Sequence, residues 1–145
     1  MSGERLTIKN EITELRRMSE WLLSTGLAQR ISKDVLFRLE VCANEAVINI
    51  ISYAYDDSTD HEITLELNGI DAGARLVIRD DGKPFNPLEA PPHHRPASIA
   101  DARVGGLGVH LIRELTSKCS YQQDDGFNVL CMEAENRPPN DTTAQ

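Results

Sequence analysis

The stretch Glu40–Tyr55, EVCANEAVINIISYAY, constrains this chain more than any other. Val41, Val47, Ile48, Ile50 and Ile51 make it apolar enough for a core helix, yet Glu45 and Asn49 stand in its middle. Their spacing puts both on one helical face, one turn apart. A carboxylate and a carboxamide inside such a run are costly to bury unless something polar satisfies them. The plain reading is a partly exposed pair bonded along the helix. The functional reading is a pair that meets a polar ligand, and the segment alone leaves both open.

The flanking segments supply the fold. Arg5–Lys9 alternates polar and apolar residues and predicts a half-buried strand. Asn10 can cap a following helix, with Glu11 and Glu14 near its positive end. Ile12, Leu15, Met18 or Ser19, and Leu22 give that helix its apolar stripe, and Gly26 is the expected stop. Ser32 is the candidate cap of the central helix, expected to run to about Tyr53. Strands are predicted over 61–68 and 75–80, where Ile63, Leu65, Leu67, Leu76 and Ile78 alternate with polar residues. Each of these three strands has a face suited to water. That pattern predicts an α+β two-layer sandwich: a mixed, mostly antiparallel sheet with helices on one face.

From Lys83 to Val104 no period survives, and five prolines with His93 and His94 mark a long irregular loop. Loops of that length in compact domains are usually functional lids or disordered. The adjacent histidines have no third ligand nearby, so a metal is not the expected reading. Gly105, Gly106, Leu107 and Gly108 then open a helix continuing from Val109 to about Ser117, with Leu111, Ile112 and Leu115 inward. Two strands, 118–123 and 127–135, join through the hairpin signal Asp124-Asp125-Gly126, the second apolar enough to be central. Residues 1–136 are expected to form one domain and 137–145, with Pro138 and Pro139, a disordered tail.

Composition excludes several functions. A formal charge of −8 argues against a direct nucleic-acid binder, though not against a nucleotide, which needs only a few placed donors. No apolar run approaches the ~20 residues of a membrane span, and the charged start MSGERLTIKNE lacks a signal peptide's apolar core. A cytoplasmic protein with no membrane contact is expected. Cys42, Cys119 and Cys131 lack metal-ligand spacing and read as reduced, mostly buried thiols.

Two further motifs bear on Glu45 and Asn49. In Asp80-Asp81-Gly82-Lys83-Pro84 a period of two puts Asp80 on the inner face beside Leu76 and Ile78. A carboxylate there needs a donor, and an adenine amino group is a suitable one; Gly82 would let the backbone pass close to a flat base. At Gly105–Gly108 the unpaired N–H groups of a helix start favour an anion, and Arg103 adds a positive charge just upstream.

The ordered set Glu45-x-x-x-Asn49, Asp80-x-Gly82-x-Pro84, a long lid, then Gly106-x-Gly108 plus Val109 resembles the GHKL ATPase superfamily. Within it the chain is most similar to the small anti-sigma factor serine kinases of bacterial partner-switching systems, over residues 4 to about 135. The resemblance implies the Bergerat ATP-binding fold, ATP and Mg²⁺ as cofactors, and phosphorylation of a serine on a STAS-type anti-sigma factor antagonist. It implies Glu45 as general base, Asn49 as Mg²⁺ ligand, and Asp80 as reader of adenine. Gly82 and Pro84 would belong to the base pocket; Gly105, Gly106, Leu107, Gly108 and Val109 would form the phosphate end, and Arg103 would close on the γ-phosphate. It also implies sequestration of a sigma factor or similar switch target and a homodimer; Arg16 and Arg17, largely off the first helix's apolar stripe, are partner-binding candidates. The chain departs from that pattern at Tyr53, where many relatives carry His, and at Lys83-Pro84. A rival reading is a nucleotide-binding module that sequesters partners without kinase activity. A sensor histidine kinase would need a phosphoacceptor helix pair before the central helix.

Overall fold

The computed structural model describes residues 3–55, 60–84, 86 and 106–137. In chain order they form β1 (Glu4–Lys9), a 3-10 turn (Ile12–Glu14), α1 (Leu15–Ala28), α2 (Lys33–Tyr53), β2 (Glu62–Ile70), β3 (Gly73–Asp80), α3 (Gly106–Leu115), β4 (Lys118–Asp124) and β5 (Phe127–Glu135). The five strands make one sheet in the order β1-β2-β3-β5-β4, and every neighbouring pair is antiparallel. The expected mixed sheet is thus antiparallel throughout its described strands, and β5 is an interior strand, as its apolar run requires.

One face of the sheet is covered by helices. Ile8, Ile63, Leu65, Leu67, Leu76, Ile78, Leu130 and Met132 point inward and are essentially inaccessible. They meet Met18 and Leu22 of α1, Val35, Leu39, Cys42, Ala46 and Val47 of α2, and Ile112 of α3. The opposite face carries Arg5, Thr64, Glu66, Arg75 and Arg79 and stays wet. The two-layer α+β sandwich is the expected one. Among the described residues no helix is long and apolar enough to cross a membrane.

Local chemistry explains most boundaries. Ser32 Oγ accepts the Val35 N–H at 3.2 Å and starts α2 as a helix cap should. Asp125 and Gly126 both adopt positive φ (56° and 85°), the geometry of a two-residue hairpin turn that matches the sheet's twist.

Other expectations fail for identifiable reasons. Asn10 does not cap α1: its Oδ1 accepts the His61 N–H at 3.1 Å and its own N–H donates to His61 O at 3.0 Å, fastening β1 to the start of β2. Gly26 is not the stop, since α1 continues to Ala28. Arg30 takes the left-handed conformation (φ 64°), with Ile31 N–H bonded to Gly26 O and Arg30 N–H to Leu27 O, the bond pattern of a Schellman ending. Gly26 is small because α2 lies against it; a Cβ there would stand 2.2 Å from Leu36 Cδ2. Ile12 and Leu111, both expected inward, are 53% and 37% exposed. The tail beyond Arg137 and residues 56–59 lie outside the described residues.

Candidate functional site

The central helix does bury the polar residue it carries. Asn49 is 2% exposed, and its Oδ1 has no hydrogen-bond partner among the described residues. An unsatisfied buried carbonyl oxygen costs about 1–3 kcal/mol. Glu45, one turn earlier, is half-buried and does take part in interactions of its own. The readings left open by the sequence separate here: Asn49 is neither exposed nor bonded along the helix.

Asp80 ends β3 on the inner face, 4% exposed, as the strand period requires. Its Oδ1 accepts the Gly82 N–H at 2.9 Å and Asn128 Nδ2 at 3.0 Å. Burial pushes the Asp80 carboxyl above its ordinary value, and these two donors offset part of that push. No described donor reaches Oδ2.

Gly82 holds the turn against the end of α2. A Cβ on it would lie 2.5 Å from Ala54 Cβ and 2.6 Å from Ala54 O, and Lys83 N–H donates to that same carbonyl at 2.6 Å. The close approach that demands glycine is to Ala54, at the end of α2. In this way the strand end bearing Asp80 is fastened to the helix bearing Glu45 and Asn49. Pro84 follows, exposed, at the edge of this turn.

Around the turn sit groups that sequence reasoning passed over. The Tyr55 ring stacks on His61 (centroids 4.3 Å apart, planes 17° apart), and its buried hydroxyl has no partner among the described residues. Burial, with the Asp80 and Asp81 charges beside it, raises that phenol's pKa. His61 Nδ1 lies 3.3 Å from Asp81 Oδ1. Asn128 was also missed, because one polar residue in the apolar strand FNVLCMEAE gives little signal. Its place on the face of Leu130 and Met132, directly opposite Asp80 in the β3–β5 register, was the available clue.

Gly106 opens α3, and Leu107, Gly108 and Val109 lie in its first turns. Arg103 and Gly105, like most of the Lys83–Val104 lid, lie outside the described residues. What positions α3 is Arg38, 5% exposed on α2. Its guanidinium donates to Asp34 Oδ2 at 2.8 and 3.1 Å, to Leu115 O at 3.2 Å, and to Glu135 O. One side chain thus ties the C-terminal ends of α3 and β5 to α2. An Asp–Arg pair four residues apart looks in sequence like a solvated helix face; only the tertiary fold supplies the two carbonyls.

The partner-binding candidates differ. Arg17 is committed within the molecule, bonded to both Glu14 carboxylate oxygens (2.9 and 3.0 Å) and to Thr7 O at 2.9 Å. Arg16 projects into solvent, with only a 3.9 Å contact to Glu20. All three cysteines are free thiols, and burial pushes Cys42 up to about 12. Among the described residues no cluster of His, Cys, Asp or Glu could hold a metal by itself.

The sequence profile of the histidine kinase-like ATPase domain matches residues 8–134. The chain belongs to that family. As a histidine kinase-like ATPase domain it is 36% identical over 120 residues to the serine/threonine-protein kinase BtrW of Bordetella bronchiseptica, covering 81% of this chain and 83% of the relative. It is 27% identical over 132 residues to the serine-protein kinase RsbW of Listeria innocua, covering 87% and 82%. A crystal structure of the RsbU and RsbW domains of a Mycobacterium tuberculosis protein superposes with a TM-score of 0.58 at 12% identity. That match covers 93% of this chain and 33% of the other, and at such identity it speaks for the fold alone. The expected ATPase family, the expected fold and the expected likeness to small serine kinases are all borne out.

Proposed function

We propose that this ATPase domain is a Mg-ATP-dependent serine kinase whose substrate is a STAS-type anti-sigma factor antagonist, and which sequesters a sigma factor or comparable target. The observation that carries the reading is the buried Asn49 Oδ1, without a partner among the described residues, one helical turn from Glu45. A carboxamide oxygen suits Mg²⁺, which takes few protein ligands and keeps phosphate and water oxygens for the rest of its shell. When bound there with ATP, the ion would neutralise charge developing on the transferred phosphoryl group. Asn49 would hold it, and no acidic cluster is needed.

The chain's own groups would do the remainder. Glu45 Oε would accept the proton of the substrate serine as its oxygen attacks the γ-phosphorus, with ADP leaving. Asp80 Oδ2 would accept the adenine amino group. Backbone N–H groups at the start of α3, from Gly106, Leu107, Gly108 and Val109, would face the phosphates, with Gly105 and Arg103 just upstream. Gly82 and Pro84 would shape the base pocket, and Arg16 would lie at a partner surface. A homodimer fits this class of kinase.

Replacing Glu45 tests the chemistry apart from binding. Glu45→Ala should leave Mg-ATP affinity within a few-fold, because a general base contributes to the transition state rather than to nucleotide binding. Transfer of labelled γ-phosphate to a STAS-domain substrate should disappear. Undiminished transfer in that variant would remove Glu45 from the mechanism.

A further inference from the structure

We infer that Tyr121 and Asn128 form a brace that makes the site select adenine over guanine, by occupying one oxygen of Asp80 and leaving the other for a single amino group. The inference rests on the nucleotide-site reading above and adds a specificity mechanism to it.

The brace is built across three strands. Asn128 of β5 stands opposite Asp80 of β3 in register, and Tyr121 of β4 reaches it diagonally from the inner face. The Tyr121 hydroxyl donates to Asn128 Oδ1. That bond directs the amide nitrogen the other way, where Nδ2 meets three acceptors: Asp80 Oδ1 at 3.0 Å, Gly82 O at 3.1 Å and Lys83 O at 3.1 Å. A flipped amide would set its oxygen against a carboxylate and two carbonyls, so one orientation is fixed. Asn128 itself is 4% exposed and cannot exchange these partners for water.

The consequence lies at Asp80. A carboxylate oxygen has two acceptor positions. On Oδ1 both are taken, by Asn128 Nδ2 and by the Gly82 N–H at 2.9 Å. Oδ2 alone remains, and one acceptor oxygen matches the single exocyclic amine of adenine. Guanine presents adjacent N1–H and 2-amino donors, which suit a carboxylate with both oxygens open. The brace withholds the second oxygen, and guanine loses its two-point contact.

Calorimetric titration of ATP, GTP and ITP into wild-type protein, Asn128→Ala and Tyr121→Phe tests this without relying on activity. Wild type should prefer ATP. In Asn128→Ala the ATP-to-GTP affinity ratio should fall about tenfold, the equivalent of ~1.4 kcal/mol, with GTP binding more tightly than to wild type. Tyr121→Phe removes only a hydroxyl from a half-buried ring, keeps the experiment decisive should Asn128→Ala fail to fold, and should lower the ratio in the same direction. ITP has guanine's N1–H but no 2-amine, so its affinity should not rise in either variant. Equal losses for ATP and GTP would reduce the brace to a structural support and overturn the inference while the nucleotide site stood. A wild type that binds no nucleotide would overturn both.

Discussion

Gly82→Ala probes the joint on which the site depends. The added Cβ would sit 2.5 Å from Ala54 Cβ and 2.6 Å from Ala54 O. Carbon contacts settle at 3.5–4.0 Å, so the turn must retreat by about 1 Å. Two of the atoms it meets, Ala54 O and C, are backbone at the end of α2 and cannot swing aside. Overpacking of this kind costs about 1–3 kcal/mol. Retreat also stretches the Lys83 N–H bond to Ala54 O, about 0.5–1.5 kcal/mol more. The expected loss is therefore about 1.5–4.5 kcal/mol, read by urea unfolding as a lower midpoint at unchanged slope. Because the same turn carries Asp80, ATP affinity should fall by more than tenfold in protein that is still folded. Stability within about 0.5 kcal/mol of wild type, the usual range for surface substitutions away from such features, together with unchanged ATP affinity, would refute the reasoning.

Two further expectations concern parts outside the base pocket. Arg38→Met keeps the length of the side chain but leaves Leu115 O and Glu135 O without their donor. It should cost about 2–4 kcal/mol, on the scale of ~1–3 kcal/mol for a buried group left unsatisfied, and hydrogen exchange should accelerate over 112–116; unaltered exchange there would show that α3 is held by other contacts. Glu14, clasped by Arg17 and the Lys9 N–H, has its carboxyl lowered from 4.5 to about 2. A depressed carboxyl stabilises the fold above its ordinary pKa and loses that contribution as pH falls. Glu14→Gln should accordingly be less stable than wild type at neutral pH by no more than the ~1 kcal/mol of an exposed ion pair. Chemical denaturation should show the difference shrinking between pH 4.5 and about 2, and a pH-independent difference would contradict it.

What the sequence made legible follows from local periodicity. Alternation in β2 and β3 placed Asp80 inward, Ser32 announced α2, and Asp125-Gly126 announced the hairpin. The spacing of Glu45 and Asn49 put both on one face of α2, although burial of one member and half-burial of the other depended on how α2 settles on the sheet. Gly26 misled because glycine serves both as a helix stop and where elements pack closely, and here Leu36 needs the room. Asn10 misled because its cap-like side chain found a backbone donor at His61, far along the chain. Asn128 and Arg38 were hidden for a shared reason. Each satisfies groups that are distant in sequence and adjacent only once the sheet and helices have assembled.

In the proposed mechanism Asn49 is the protein's hold on the metal–nucleotide complex. Asn49→Leu replaces the carboxamide with an apolar group of the same branching and removes an oxygen that has no partner among the described residues, so the fold should be no less stable, since an unsatisfied buried acceptor is itself a cost. The direct measurement is ATP affinity by calorimetry, with saturating Mg²⁺ and with EDTA, in wild type and in this variant. Mg²⁺ should tighten ATP binding to wild type by at least tenfold, and Asn49→Leu should abolish most of that increment while the protein stays folded. A variant whose ATP affinity still rises with Mg²⁺ as steeply as that of wild type would rule out Asn49 as the metal's holder.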